Sequence, residues 1–360
     1  MLTCCFSKKK QSSKKVSFNL NKNIILYYNI NMKISEDNPM KAIQEKRPHL
    51  KENTIKQYLI HLGKLQKLFD TEDFNFLNKP DDIKDKISER HYTSQRNTYN
   101  AIIVLLNAID KDEKLKPLIE KYSVLRDELN DKYSEEQSTG IISDKQKNNF
   151  VDISEVNKMI DTMANEIKSL NLKKKKDNLT SKEKALLQVF IIFNIYTRLP
   201  LRNDVAGMEA ITKRAYNKLK DDDKKSKNFL VVEKNNMFFV LNKYKTAKKY
   251  EELKIDIPAD LKKLLRYYLK VNGMGVLFKS STGKALTRNA LSQLLIKTTK
   301  KYMGKSIGST MLRKIYLSSK YGDMKEELEK DNAIMGHSKE VALDTYVKKP
   351  QSEKSGQEKE

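Results

Sequence analysis

Apolar side chains recur along residues 53–69 at Ile55, Tyr58, Leu59, Leu62, Leu65, Leu68 and Phe69. The 3.6-residue period of this stripe predicts a helix with one buried face. The same spacing at Tyr99, Ile102, Ile103, Leu106 and Ile109 predicts a second helix over 94–109, and a third covers about 115–129. Charged residues occupy the outer faces, so a bundle of about four helices over 40–135 would bury the stripes. Residues 136–150 (SEEQSTGIISDKQKN) are polar and read as a linker.

Residues 151–349 have a different texture. Thr180-Ser181-Lys182-Glu183 has the form of a capping box and opens an apolar helix over 185–196. The polar run 173–178 just before it reads as an exposed loop. Three strand-like runs follow at 229–233, 237–242 and 253–257, with Lys234-Asn235-Asn236 as the turn of a hairpin. Helical patterns return at 259–270, 287–302, 310–319 and 325–335. The expected fold class is therefore mostly α with a small antiparallel β-sheet: an N-terminal helical domain, then an α+β domain. The last residues, 350–360, are polar and read as a disordered tail.

Charge narrows the class. The chain holds 71 Lys+Arg against 47 Asp+Glu, a formal net charge of +24. That excess points to a polyanionic partner inside the cell. Alone it does not choose between nucleic acid and an anionic membrane surface. Residues 1–31 carry six lysines and no acid and read as a flexible basic arm. Met32 precedes more ordinary sequence and is a candidate native start. Cys4-Cys5 beside lysines is a competing acylation signal. Adjacent cysteines exclude a disulfide scaffold, and the scattered His49, His61, His91 and His337 give no zinc pattern. No apolar run reaches the roughly 18 residues of a spanning helix, and no apolar core follows the first lysines as in a secretory leader.

Five residues of the second half form an ordered set. Arg202 follows the apolar helix in Leu199-Pro200-Leu201-Arg202. Lys245 lies between the second and third strand-like runs, in Lys243-Tyr244-Lys245-Thr246. Arg313 opens a helix in Met311-Leu312-Arg313, His337 stands in Gly336-His337-Ser338, and Tyr346 comes nine residues later. In order and spacing this set resembles the tyrosine recombinases, the phage-type integrases. The resemblance covers about residues 40–349, and its most specific part is the Gly336-His337-Ser338 to Tyr346 block.

Two departures stand out. The family usually has His three residues before its second Arg, where this chain has Thr310; a hydroxyl can hydrogen-bond but cannot shuttle a proton near neutral pH. The family also has an acid three residues after the first Arg. Here Asp204 comes two after Arg202, and one residue on a helix turns a side chain by about 100°. Asp204 is thus expected not to play the usual supporting role.

The resemblance implies a DNA integrase or site-specific recombinase of a virus or mobile element. Tyr346 would attack phosphorus, forming a 3′-phosphotyrosyl link and freeing a 5′-hydroxyl, with no metal, cofactor or ATP. Arg202 and Arg313 would hold the non-bridging oxygens, His337 would add a donor, and Lys245 would protonate the leaving oxygen. Arg198 competes with Arg202, and Lys243, Lys248 and Lys249 with Lys245. A helical core-binding domain (40–135) and the catalytic domain (151–349) would clamp double-stranded DNA as a homotetramer on synapsed duplexes, with accessory DNA-bending proteins as further partners. Localisation would be intracellular, with DNA and away from membranes. A type IB topoisomerase-like enzyme and a catalytically impaired DNA-binding member of the fold are the alternatives.

Overall fold

A computed structural model of the chain describes Ile34 and residues 38–138, 140–175 and 178–335. The basic arm 1–31, the tail 350–360, and with them His337 and Tyr346, lie outside the described residues. The chain divides between Ile141 and Ile142 into two compact units.

The first unit contains α1 (Pro39–Lys46), α2 (Glu52–Phe69), α3 (Pro80–Ile87), α4 (Tyr92–Ile109) and α5 (Lys116–Ser138). The central helix is α4. It buries Tyr99, Ala101, Ile102, Ile103, Leu105 and Leu106 against one cluster, while Val104 packs with Ile43 and Ile55 in another. That is why its apolar residues exceed a single stripe: a helix covered on several sides is hydrophobic nearly all round. The Tyr122 hydroxyl donates to the Leu77 carbonyl at 2.7 Å and thereby satisfies a buried polar group.

The expected linker is shorter than its composition suggested. Helix α5 runs on to Ser138, because Glu135, Glu136 and Gln137 are polar but good helix formers. A further helical turn, α6 (Asp144–Lys147), follows.

The second unit continues with α7 (Ile153–Ser169), α8 (Leu172–Lys175), α9 (Ser181–Tyr196), β1 (Glu209–Thr212), α10 (Lys213–Asn217) and α11 (Asp221–Ser226). Then come β2 (Asn228–Val232), β3 (Met237–Leu241), α12 (Ala247–Tyr250), β4 (Leu253–Asp256), α13 (Ala259–Asn272), β5 (Gly275–Val276), α14 (Arg288–Met303) and α15 (Ser309–Met335). The sheet has five strands in the order β4-β3-β2-β1-β5. It is mixed, not antiparallel throughout as expected: β1 pairs with β2 in parallel, and every other pair is antiparallel. The parallel pair arises because α10 and α11 form a crossover between β1 and β2, which a tight hairpin could not supply.

The hairpin joins Val232 to Met237, with the Glu233 N–H donating to the Asn236 carbonyl at 2.9 Å. Both faces of the sheet are covered. Leu230, Met237, Phe239 and Leu241 point into the main core, while Phe229, Val231, Phe238 and Val240 pack with Tyr216 on the opposite face. Continuous apolar strands are what a sheet buried on both sides requires. The main core wraps α9, where Ile191, Ile192, Phe193, Ile195 and Tyr196 are all buried.

Two further expectations change. Residues 173–175 of the run 173–178 belong to the helical turn α8, so it is not wholly a loop. Residues 309–335 form one helix, where two were expected: Gly322 alone costs only about 1 kcal/mol relative to Ala in a helix, and no proline interrupts it. Among the described residues no helix is long and apolar enough to cross a membrane.

The capping box of α9 has a consequence for acid stability. The Thr180 hydroxyl accepts from the Glu183 N–H at 3.3 Å, and Glu183 Oε2 accepts from the Thr180 N–H at 2.8 Å. Lys175 pairs with the other carboxylate oxygen. The Lys175 hydrogen bond first, then those from Thr180, hold the Glu183 carboxyl at about 2, against an ordinary 4.5. The unfolded chain therefore takes up this proton before the folded one. The stabilisation is complete above about pH 4.5 and is lost as pH falls towards 2. Glu183→Gln should lower the melting temperature at pH 7 and flatten its fall between pH 4.5 and 2. Parallel wild-type and variant melting curves over that range would show that the box contributes nothing.

Candidate functional site

The site is built where α9 ends. Pro200 stops the helix, and the chain turns through Arg202 into a 3₁₀ turn, Asn203–Val205. Leu201 and Val205 are buried on either side and fix the backbone, while the Arg202 side chain is exposed. The Tyr196 hydroxyl donates to Asn203 Oδ1 at 2.9 Å, with the Arg202 carbonyl 3.3 Å away. Burial pushes the Tyr196 hydroxyl's pKa up, as does the nearby Asp204, so it stays protonated as a donor. Asn203 Nδ2 in turn donates to Ser292 Oγ at 2.7 Å and to the Arg288 carbonyl at 3.1 Å. The turn is thus pinned to the first turns of α14.

Asp204 is the buried centre of this corner. Arg288 Nη2 donates to Asp204 Oδ1 at 2.7 Å. Burial raises the Asp204 carboxyl above the ordinary carboxylate range, opposed by the charges of Arg288, Arg202 and Arg313. Three guanidiniums from three segments therefore act on one carboxylate. The residue lies in a 3₁₀ turn, where a side chain turns by about 120° per residue instead of 100°.

Arg313 is on the second turn of α15. Its Nε lies 3.4 Å from the Ser309 carbonyl and its Nη2 lies 3.3 Å from Thr310 Oγ1. Both contacts are long for hydrogen bonds to nitrogen donors. Both Nη1 hydrogens and one on Nη2 have no partner among the described residues. Burial lowers the Arg313 pKa, and the like charge of Arg202 lowers it further, with Tyr196 and Asp204 opposing. The Arg202 side chain has no hydrogen bond or ion pair to any described residue. The corner thus holds two guanidiniums close enough to perturb each other, both with unused donors.

Arg198 is differently placed. Its Nε donates to Asp260 Oδ2 at 2.5 Å and its Nη1 donates to Asn194 Oδ1 at 2.8 Å, so these two nitrogens are committed to α9 and α13.

The lysine-bearing turn between β3 and β4 meets the same corner through its backbone. Asn228 is buried, and its Oδ1 accepts from the Asn242 and Lys243 N–H groups at 2.9 and 2.7 Å. Its Nδ2 donates to the Asp204 carbonyl at 2.8 Å and to the Lys243 carbonyl at 3.2 Å. Arg288 Nη2 also donates to the Lys243 carbonyl, at 3.0 Å. Tyr244 is buried, and its hydroxyl donates to the Glu251 carbonyl at 2.9 Å. Lys243 and Lys245, on either side of it, are exposed.

Of the residues singled out from sequence, Arg202, Asp204 and Arg313 are brought together, and Thr310 touches Arg313. Lys245 is on a turn whose backbone is tied to that corner. Sequence reasoning missed Arg288, Asn228, Asn203 and Tyr196. Thr287 caps α14, but nothing local separates Arg288 beside it from other basic residues.

No family model and no curated protein matches the sequence. The solved structures that this chain resembles include two complexes. One is the pre-cleavage complex of the XerH site-specific recombinase bound to difH substrate, with a TM-score of 0.43 and 13% identity over 89% of this chain and 87% of that one. The other is the post-cleavage complex of XerH with palindromic difH substrate, with a TM-score of 0.41 and 13% identity over 89% and 88%.

Proposed function

We propose that the chain cleaves and rejoins DNA strands as a site-specific recombinase of the tyrosine type. The observation that carries this reading is the convergence of Arg202 and Arg313 beside buried Asp204, with unused donors on both guanidiniums. Like charges brought together call for an anion. A phosphodiester has two non-bridging oxygens that suit guanidinium forks, and arginine stays charged throughout.

The chemistry then runs as a transesterification. The Tyr346 phenolic oxygen forms a bond to phosphorus as the bond to the 5′-oxygen breaks, with the phenol proton passing to water. The leaving oxygen takes a proton from the Lys245 ammonium. Arg202, Arg313 and His337 stabilise the charge that grows on the non-bridging oxygens. The phosphotyrosyl bond conserves the phosphodiester's energy, so a second 5′-hydroxyl can rejoin strands without ATP. Double-stranded DNA is the substrate, and a tetramer on two synapsed duplexes is the assembly that strand exchange requires. The net charge of +24 suits such a partner.

The test uses duplexes tiled across the DNA beside the gene, each nicked near its centre to trap a covalent intermediate. In EDTA, protein-linked strands should form, and the released strand should carry a 5′-hydroxyl that polynucleotide kinase labels without prior phosphatase. A released 5′-phosphate, or cleavage only with a divalent cation, would overturn the proposal. Relaxation of supercoils by a monomer, without synapsis, would move it to the topoisomerase reading.

A further inference from the structure

Arg288 joins two parts of the site through a single nitrogen. One of its nitrogens reaches the carboxylate of Asp204 at 2.7 Å, and the same nitrogen reaches the main-chain carbonyl of Lys243 at 3.0 Å. The first contact belongs to the arginine corner and the second to the lysine-bearing turn. Asn228 doubles the link from beneath, donating to the Asp204 and Lys243 carbonyls and accepting from the Lys243 N–H. Asn203 fixes the Arg288 backbone from the other side. The segments so joined start 84 and 45 residues from Arg288 in the chain.

The turn needs such a tie. Its lysine side chains are exposed, and its own regular structure is limited to the four residues of α12. Below it only Tyr244 is buried. A general acid works only within hydrogen-bond reach of the oxygen it protonates, and a misplacement of about 1 Å can cost on the order of 100-fold in rate. We propose that Arg288 is a positioning residue: it clamps the lysine turn to the Arg202–Asp204 corner, so that the ammonium serving the leaving oxygen and the guanidiniums holding the phosphate keep one geometry. This rests on the recombinase reading above.

The clamp makes a prediction that a merely structural arginine does not. If Arg288 acts through the lysine, its loss should matter only while the leaving oxygen needs a proton. Cleavage rates are compared for Arg288→Met, Lys245→Ala and Arg313→Ala on two substrates, a normal phosphodiester and one with sulfur as the bridging 5′ atom. A thiolate leaves without a proton. Arg288→Met should lose about 100-fold on the oxygen substrate. It should recover most of that loss on the sulfur substrate, as Lys245→Ala does, while Arg313→Ala does not recover. Rescue of Lys245→Ala but not of Arg288→Met would overturn the proposal.

A second measurement separates this from failure of the recombinase reading. Amide hydrogen exchange at residues 243–246 should quicken in Arg288→Met, with the sheet core unchanged. If wild type forms no adduct at all, exchange alone decides the clamp, and unchanged exchange overturns it. The Arg288 side chain is 54% exposed, so the Met variant should fold; if its melting temperature collapses, Arg288→Gln replaces it in both measurements.

Discussion

Tyr346→Phe is expected to abolish covalent attachment to DNA while leaving DNA affinity nearly unchanged. The substitution removes one oxygen, the atom that would attack phosphorus, and keeps the ring. Affinity should survive because, on the proposed reading, many phosphate contacts from a chain of net charge +24 would carry it. Of the 17 tyrosines, Tyr346 is singled out by its position nine residues after His337. Adducts resistant to SDS that persist in the Phe variant would assign the nucleophile elsewhere. Gel-shift titration at a stated salt concentration checks the other half of the prediction.

Arg313→Ala carries the second-largest expected effect. One missing oxyanion-type donor costs about 10²–10³-fold in the chemical step, roughly 2.7–4 kcal/mol. Several features of Arg313 favour the upper part of that range. The guanidinium is half-buried, its own contacts are long, and two other arginines face the same carboxylate, so little in the protein competes with a phosphate for its donors. Arg313→Lys should lose less, because it keeps the charge and gives up only the planar fork. Binding should fall far less than cleavage in both variants. The check is a single-turnover cleavage rate beside a Kd measured on the same duplex. Equal losses in the two would reduce Arg313 to a phosphate anchor.

What could be read from the chain depended on the range of the interaction. The capping box of α9 is contained in four consecutive residues, and the hairpin at Glu233–Asn236 joins strands that follow each other directly, so both were legible. Strands β1 and β5 were not. They have four and two residues, too few to show a period, and they exist because β2 and each other lie alongside. The mixed character of the sheet went unread with β1.

The arginine corner shows the same division. Arg202, Asp204 and Arg313 stood out by order in the chain, but the 3₁₀ turn that carries Asp204 has only three residues, too few to show a period. Arg288 and Asn228 carry no local signature. Their side-chain partners are 14 to 84 residues away, and their importance appears only when three segments meet.

The measurement that bears most directly on the central claim is identification of the residue joined to DNA. Wild-type protein is incubated in EDTA with the nicked duplex that traps it, the adduct is digested with nuclease and trypsin, and the modified peptide is sequenced by mass spectrometry. The expected result is a nucleotide on the phenolic oxygen of Tyr346, in the tryptic peptide spanning residues 340–348. A nucleotide on any other residue would contradict the account, as would the absence of any adduct across the tiled duplexes.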